Sequence, residues 1–175
     1  EILKALGSDG ARLIADAVNK NGQFISQMLQ YLDPRVLATV INGSTDFAIK
    51  LTAELDPKVI AEVVNRSGDF LTRLLGLLDP AVVAAAVNAN QEFLTASMAT
   101  MDPTVLAQAI NANGPFLTRL LGLLDPRVLA GAINANPQVA PSLMGYLDTT
   151  VVAGIVNANG PFLTRLPVSY THLRA

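Results

Sequence analysis

Residues Asn111 to Asn134, NANGPFLTRLLGLLDPRVLAGAIN, begin and end on the same position of a pattern that returns every 23 residues. Asp recurs on this spacing at Asp33, Asp56, Asp79, Asp102, Asp125 and Asp148, with Pro after it at Pro34, Pro57, Pro80, Pro103 and Pro126. Asn keeps the same period at Asn19, Asn42, Asn65, Asn88, Asn111, Asn134 and Asn157. A fixed period between roughly 20 and 50 residues marks a stacked repeat, because one such unit cannot bury its apolar face without neighbours. The expected fold is all-α: an α-solenoid, or superhelix, of stacked short helix pairs.

The punctuation predicts two helices per unit. In LDPRVLATVIN the Asp33 side chain can accept from first-turn amides, and Pro34 supplies a preset φ where its missing N–H does no harm. Val36, Leu37, Val40 and Ile41 then fall on one face at the helical period. The first helix is expected over roughly residues 34–41, with Asn42 as a left-handed cap that ends it. Asn65, Asn88, Asn111, Asn134 and Asn157 are assigned the same capping role. Two residues later comes a second column, Asn21, Ser44, Ser67, Asn90, Asn113, Asn136 and Asn159, read as the start of the second helix. The apolar face of that helix carries Phe24, Phe47, Phe70, Phe93, Phe116 and Phe162, with Val139 as the exception. Helices this short do not persist alone in water, so several consecutive units must be present for any one to fold.

Counted in this way, residues 1–166 form one array, with units starting at 10, 33, 56, 79, 102, 125 and 148, preceded by a partial unit. In the first unit Gly10 and Ala11 stand in place of Asp and Pro, and Asp9 offers a cap one residue early. After Leu166 the register fails. The tail 167–175, PVSYTHLRA, resembles a peptide that adapter read-through leaves on open reading frames in metagenomic assemblies, which implies a segment without native function. The array is similar to the broad class of α-helical solenoids that includes the HEAT, armadillo and tetratricopeptide repeats. That likeness is architectural, since none of their signature residues can be placed here. It implies a curved rod whose exposed face binds other macromolecules.

Composition narrows the function. Twelve Lys and Arg against fourteen Asp and Glu leave a net charge of -2, so no positive field draws a polyanion. Residues 74 to 118 hold no Lys or Arg at all, which argues against unit-by-unit reading of nucleic acid. With no Cys, thiolate metal sites and cysteine nucleophiles are excluded. The sole histidine, His172, stands in the tail, so no Ser-His-Asp arrangement is available. We therefore expect no catalytic residue, no cofactor and no metal, although a carboxylate pair closing on a pocket would revive the enzyme reading.

The expected function is non-catalytic binding or scaffolding, by protein–protein interaction through the solenoid surface. The candidate partner-binding residues are Thr72 and Arg73, Thr118 and Arg119, and Thr164 and Arg165, a column of cations suited to an acidic peptide or a phosphate. A competing reading is association with a lipid surface, suggested by a mean hydropathy of +0.40 and a charge-poor half. Residues 74 to 164 hold only seven charged side chains out of 26, so this half either buries its Ala-rich faces by tight stacking or lies against a partner chain, another copy of itself or lipid. The default compartment is cytoplasmic.

Overall fold

Each Asp-Pro step starts a helix. The computed structural model describes residues 2–167, with side chains from residue 9 onward. The tail from residue 168, His172 included, lies outside the described residues. Among those described there are fourteen helices and no strand. In order they are α1 (Ile2–Lys20), α2 (Gly22–Met28), α3 (Pro34–Asn42), α4 (Thr45–Glu54), α5 (Pro57–Arg66), α6 (Gly68–Leu75) and α7 (Pro80–Ala89). They continue as α8 (Gln91–Met98), α9 (Pro103–Ala112), α10 (Gly114–Leu123), α11 (Pro126–Ala135), α12 (Val139–Met144), α13 (Thr149–Ala158) and α14 (Gly160–Thr164). The chain is an all-α solenoid.

At each Asp the backbone is extended, and one carboxylate oxygen accepts from the N–H two residues on. Asp33 takes Arg35, Asp56 takes Lys58, Asp79 takes Ala81, Asp102 takes Thr104 and Asp125 takes Arg127, each at 2.9 Å, and Asp148 takes Thr150 at 2.8 Å. The first unit differs because nothing breaks it. With Gly10 and Ala11 in place of the Asp-Pro pair, no ring clashes with the preceding turn and no N–H is missing, so α1 runs unbroken through Asp9. Asp9 starts no new helix there.

Stacking follows a rule that the spacing of the repeat does not reveal. From α1 to α13 each helix packs mainly on the third helix along the chain, giving one column of α1, α4, α7, α10 and α13, a second of α2, α5, α8 and α11, and a third of α3, α6, α9 and α12. One turn of the solenoid is therefore three helices, while one sequence unit is two. A turn spans one and a half units, and in the second and third columns helices that begin at Asp-Pro alternate with those that do not.

The core runs along the axis as a series of clusters. Leu29, Ala38, Val63, Phe70 and Leu74 make one, and Ala48, Val82 and Ala86 another. A column of alanines absent from the sequence argument, Ala15, Ala38, Ala61, Ala84, Ala107 and Ala130, is buried to 3% exposure or less. Its members lie on every second helix from α1 to α11. No single described helix is long and apolar enough to cross a membrane, and α6 with α7, apolar as a pair, is bent by 112° with Phe70, Leu74, Val82, Ala84 and Ala86 in the core.

Candidate partner-binding surface

The repeated asparagines hold successive turns together. Asn19, Asn42, Asn65, Asn88 and Asn111 each donate Nδ2 to a carbonyl 35 residues on, those of Glu54, Leu77, Thr100, Leu123 and Tyr146, at 2.9 to 3.1 Å. The same amides accept at Oδ1 from the N–H of Asp56, Asp79, Asp102, Asp125 and Asp148, 37 residues on, at 2.7 to 2.9 Å. Asn134 donates to the Pro167 carbonyl at 3.2 Å, and Asn157 is exposed in α13. The capping role assigned to Asn42, Asn65, Asn88, Asn111, Asn134 and Asn157 is therefore corrected. All six lie within their helices, and the residue that follows α3, Gly43, has the right-handed φ of -71°. A primary amide offers a donor and an acceptor side by side, so it can satisfy both the N–H and the C=O of a loop that no helix serves.

The second column works in the opposite direction. Asn90, Asn113, Asn136 and Asn159 donate back to the carbonyls of Ile49, Thr72, Thr95 and Thr118, 41 residues earlier, at 2.9 to 3.2 Å. Each also donates to the carbonyl four residues before it, at 2.8 to 2.9 Å. Among the described helices only α4 has its starting amide capped from this column, by Ser44 Oγ, which accepts from the Phe47 N–H at 3.2 Å. Ser67 is too short for either task, and its Oγ is buried without a partner.

With the asparagines committed to the scaffold, the candidate contact residues can be located. Arg73 is on α6, Arg119 on α10 and Arg165 just past α14, so the first two already stand on different columns. A 23-residue step carries a residue two helices along a three-helix turn, so equivalent positions move to a new side at every unit. Thr72, Arg73, Thr118, Arg119, Thr164 and Arg165 thus form no continuous row, and the expectation of a cation-lined groove is corrected. Thr72 Oγ1 donates to the Gly68 carbonyl at 3.0 Å and Thr164 Oγ1 to Pro161 at 2.9 Å, while the carbonyls of Thr72 and Thr118 accept from Asn113 and Asn159. Arg165 Nε donates to the Pro161 carbonyl at 3.1 Å.

Arg73 Nε donates to the Asp69 carbonyl at 3.4 Å, four residues back as in Arg165. It borders a cleft of about 480 Å³ at the start of α6, whose lining includes Leu29, Phe70 and Val105 together with Gln30, Arg66 and Asp69. Gln108 from α9 also lines this cleft and donates to Asp69 Oδ1 at 3.2 Å. Arg66 leans on Glu62 at 2.9 Å, with both side chains about half exposed. Such a pair is worth little in water and leaves the guanidinium available to exchange partners. A comparable cleft of about 510 Å³ opens at the start of α8, lined by residues that include Leu55, Pro57, Gln91, Glu92 and Phe93.

At three helix starts the capping carboxyl is shifted. The Thr104 hydroxyl, which donates to Asp102 at 2.7 Å, holds that carboxyl below its ordinary range, and Thr150 does the same for Asp148. The Arg127 guanidinium, 3.0 Å from Asp125 Oδ2, lowers Asp125 likewise. Among the described residues no group of three or more Asp, Glu or His side chains is arranged to hold a metal ion. Comparison of the chain with protein-family models, with curated proteins and with solved structures finds no match in any of the three.

Proposed function

We propose that this chain is a non-catalytic binding or scaffold module that takes protein partners on the flank of the solenoid, without a cofactor. The observation that carries this reading is the cleft beside α6, where an apolar floor of Leu29, Phe70 and Val105 is rimmed by Gln30, Arg66, Asp69, Arg73 and Gln108. An extended peptide can lay an apolar side chain on such a floor while its backbone and an acidic residue meet the rim. The flank is also where units differ: the exposed position that opens each Asp-started helix is Arg35, Lys58, Ala81, Thr104, Arg127 and Thr150 in turn. Buried positions repeat because stacking demands it, whereas flank positions are free to vary with what is bound.

Selection of a random peptide library on the full chain tests this reading. Enriched peptides should pair an acidic with an apolar residue, and their affinity should fall at least tenfold in Arg73→Glu while Arg119→Glu, on another column, leaves it unchanged. Failure to enrich, or equal loss in both variants, would reject the cleft as the site.

A further inference from the structure

We propose that a cleft between α3 and α6 receives a phosphate group carried by a partner peptide, so that the protein bound on this flank is a phosphorylated one. This rests on the peptide reading of the cleft beside α6 and names the chemistry of its ligand. Arg73 borders two clefts. Besides the one beside α6, it lines a space of about 470 Å³ together with Asp33, Pro34, Arg35, Gly76 and Leu77. Arg35 is on α3 and Arg73 on α6, which stack in one column, so two guanidiniums line one cleft from successive turns.

Both are available. Among the described residues the ion pairs are Arg66 with Glu62 and Arg127 with Asp125, so neither Arg35 nor Arg73 has a carboxylate partner. Arg73 uses Nε on the Asp69 carbonyl, which leaves its two terminal nitrogens for a ligand. The acid in the cleft, Asp33, accepts the Arg35 N–H at 2.9 Å through Oδ1. Two arginines against one aspartate leave this lining at +1 in a chain whose net charge is -2.

The repeat supplies the comparison. An offset of 38 residues falls on two cations three times, at Arg12 with Lys50, Arg35 with Arg73 and Arg127 with Arg165. The first pair has a single guanidinium. In the third, Arg127 folds back on Asp125, donating Nε to Oδ1 at 3.3 Å and a terminal nitrogen to Oδ2 at 3.0 Å. The units between carry Lys58 with Ala96, Ala81 with Arg119 and Thr104 with Ser142. Among the described residues the pair at 35 and 73 therefore stands alone in offering two guanidiniums with no acid on either.

A carboxylate is planar, carries one charge and is matched by one guanidinium. A phosphate monoester at neutral pH carries about -1.5 to -2 and three acceptor oxygens, enough to engage two. Leu77, 41% exposed, gives this cleft an apolar wall, and Leu29, Phe70 and Val105 lie in the other cleft that Arg73 borders. Apolar footing divided between two clefts suits single side chains of a peptide and offers no broad face to a bilayer. The ligand is a phosphorylated side chain within a few residues of an apolar one.

Three probes of the full chain supply the test: a phosphoserine peptide library, the same library after phosphatase treatment, and vesicles containing a phosphoinositide. The phosphorylated peptides should bind about tenfold or more tightly than the treated ones. For a selected phosphopeptide, Arg35→Gln changes an exposed side chain, keeps the N–H that Asp33 accepts, and should weaken binding by about tenfold. Arg127→Gln, at the same repeat position, should leave it unchanged. Lowering the pH from about 7.5 to about 5 protonates the phosphate, whose second pKa is about 6, and should weaken the phosphopeptide more than its glutamate analogue. Equal binding before and after phosphatase, lost in Arg73→Glu, would sustain the cleft beside α6 and overturn the phosphate. Indifference to Arg35→Gln, or retention on the vesicles alone, would also overturn it, whereas no binding of either library would overturn both readings.

Discussion

Asn88 shows what a single residue does in this fold. Its amide donates to the Leu123 carbonyl at 3.1 Å and accepts from the Asp125 N–H at 2.9 Å, tying α7 to the loop that precedes α11. Truncation leaves both backbone groups without a partner, so Asn88→Ala should cost about 1–3 kcal/mol in urea denaturation. Asn157→Ala, on the exposed end of the same column, should stay within about 0.5 kcal/mol. Equal losses at the two positions would mean that the amides contribute through their own helices and not across turns. The second column allows the reverse test. Ser67 occupies a position at which Asn113 reaches both Thr72 and Ala109. Ser67→Asn should reach the equivalent carbonyls of Ser26 and Val63, raise stability by about 1 kcal/mol per net hydrogen bond and so raise the thermal midpoint. An unchanged or lowered midpoint would show that the space beside Ser67 does not admit the amide.

Among the elements, the decisive contact is the close approach of each helix to the third one along. Alanine is buried in this packing at every position of its column from Ala15 to Ala130, and a close-packed interior leaves no free space for a larger side chain. Ala107 is 1% exposed, and Ala107→Leu should force α9 and its stacking partners apart at a cost of about 1–3 kcal/mol or more. Ala153→Leu introduces the same side chain where no turn lies above it and should be tolerated within about 0.5 kcal/mol. Comparing their denaturation midpoints separates stacking from intrinsic helix preference, which is identical for the two substitutions. The helix starts were readable in advance, since an Asp side chain and a Pro ring act within two residues of themselves. The fusion at Asp9 follows the same local chemistry, for without the ring nothing prevents the helix from continuing.

For the whole molecule, the consequence of three helices per turn is that no single unit contains a complete interface. A fragment of residues 102–124 holds α9 and α10 but neither stacking partner, and its circular dichroism should show little helix. A fragment of residues 33–147 holds α3 to α12 and should be strongly helical with a cooperative melt. Comparable helicity per residue in the two fragments would contradict stacking as the source of stability. Phe70, Phe93 and Phe116 stand on α6, α8 and α10, one on each column, so the apolar side chains line a rod and gather into no closed centre. The same rotation separates Arg73 from Arg119, leaving a local cleft beside α6 in place of a groove along the rod.

The amino-acid order by itself determined the helical class, the 23-residue period and the start of every helix at an Asp-Pro step, because capping and ring geometry depend on adjacent residues. It did not determine how many helices close a turn, since that depends on the angle between successive helices and on which faces meet across it. Only the tertiary structure decided that Asn88 serves a loop 35 to 37 residues away instead of ending its own helix. The same cause scattered the arginines: a repeat of two helices wound on a turn of three sends identical residues to different sides of the rod.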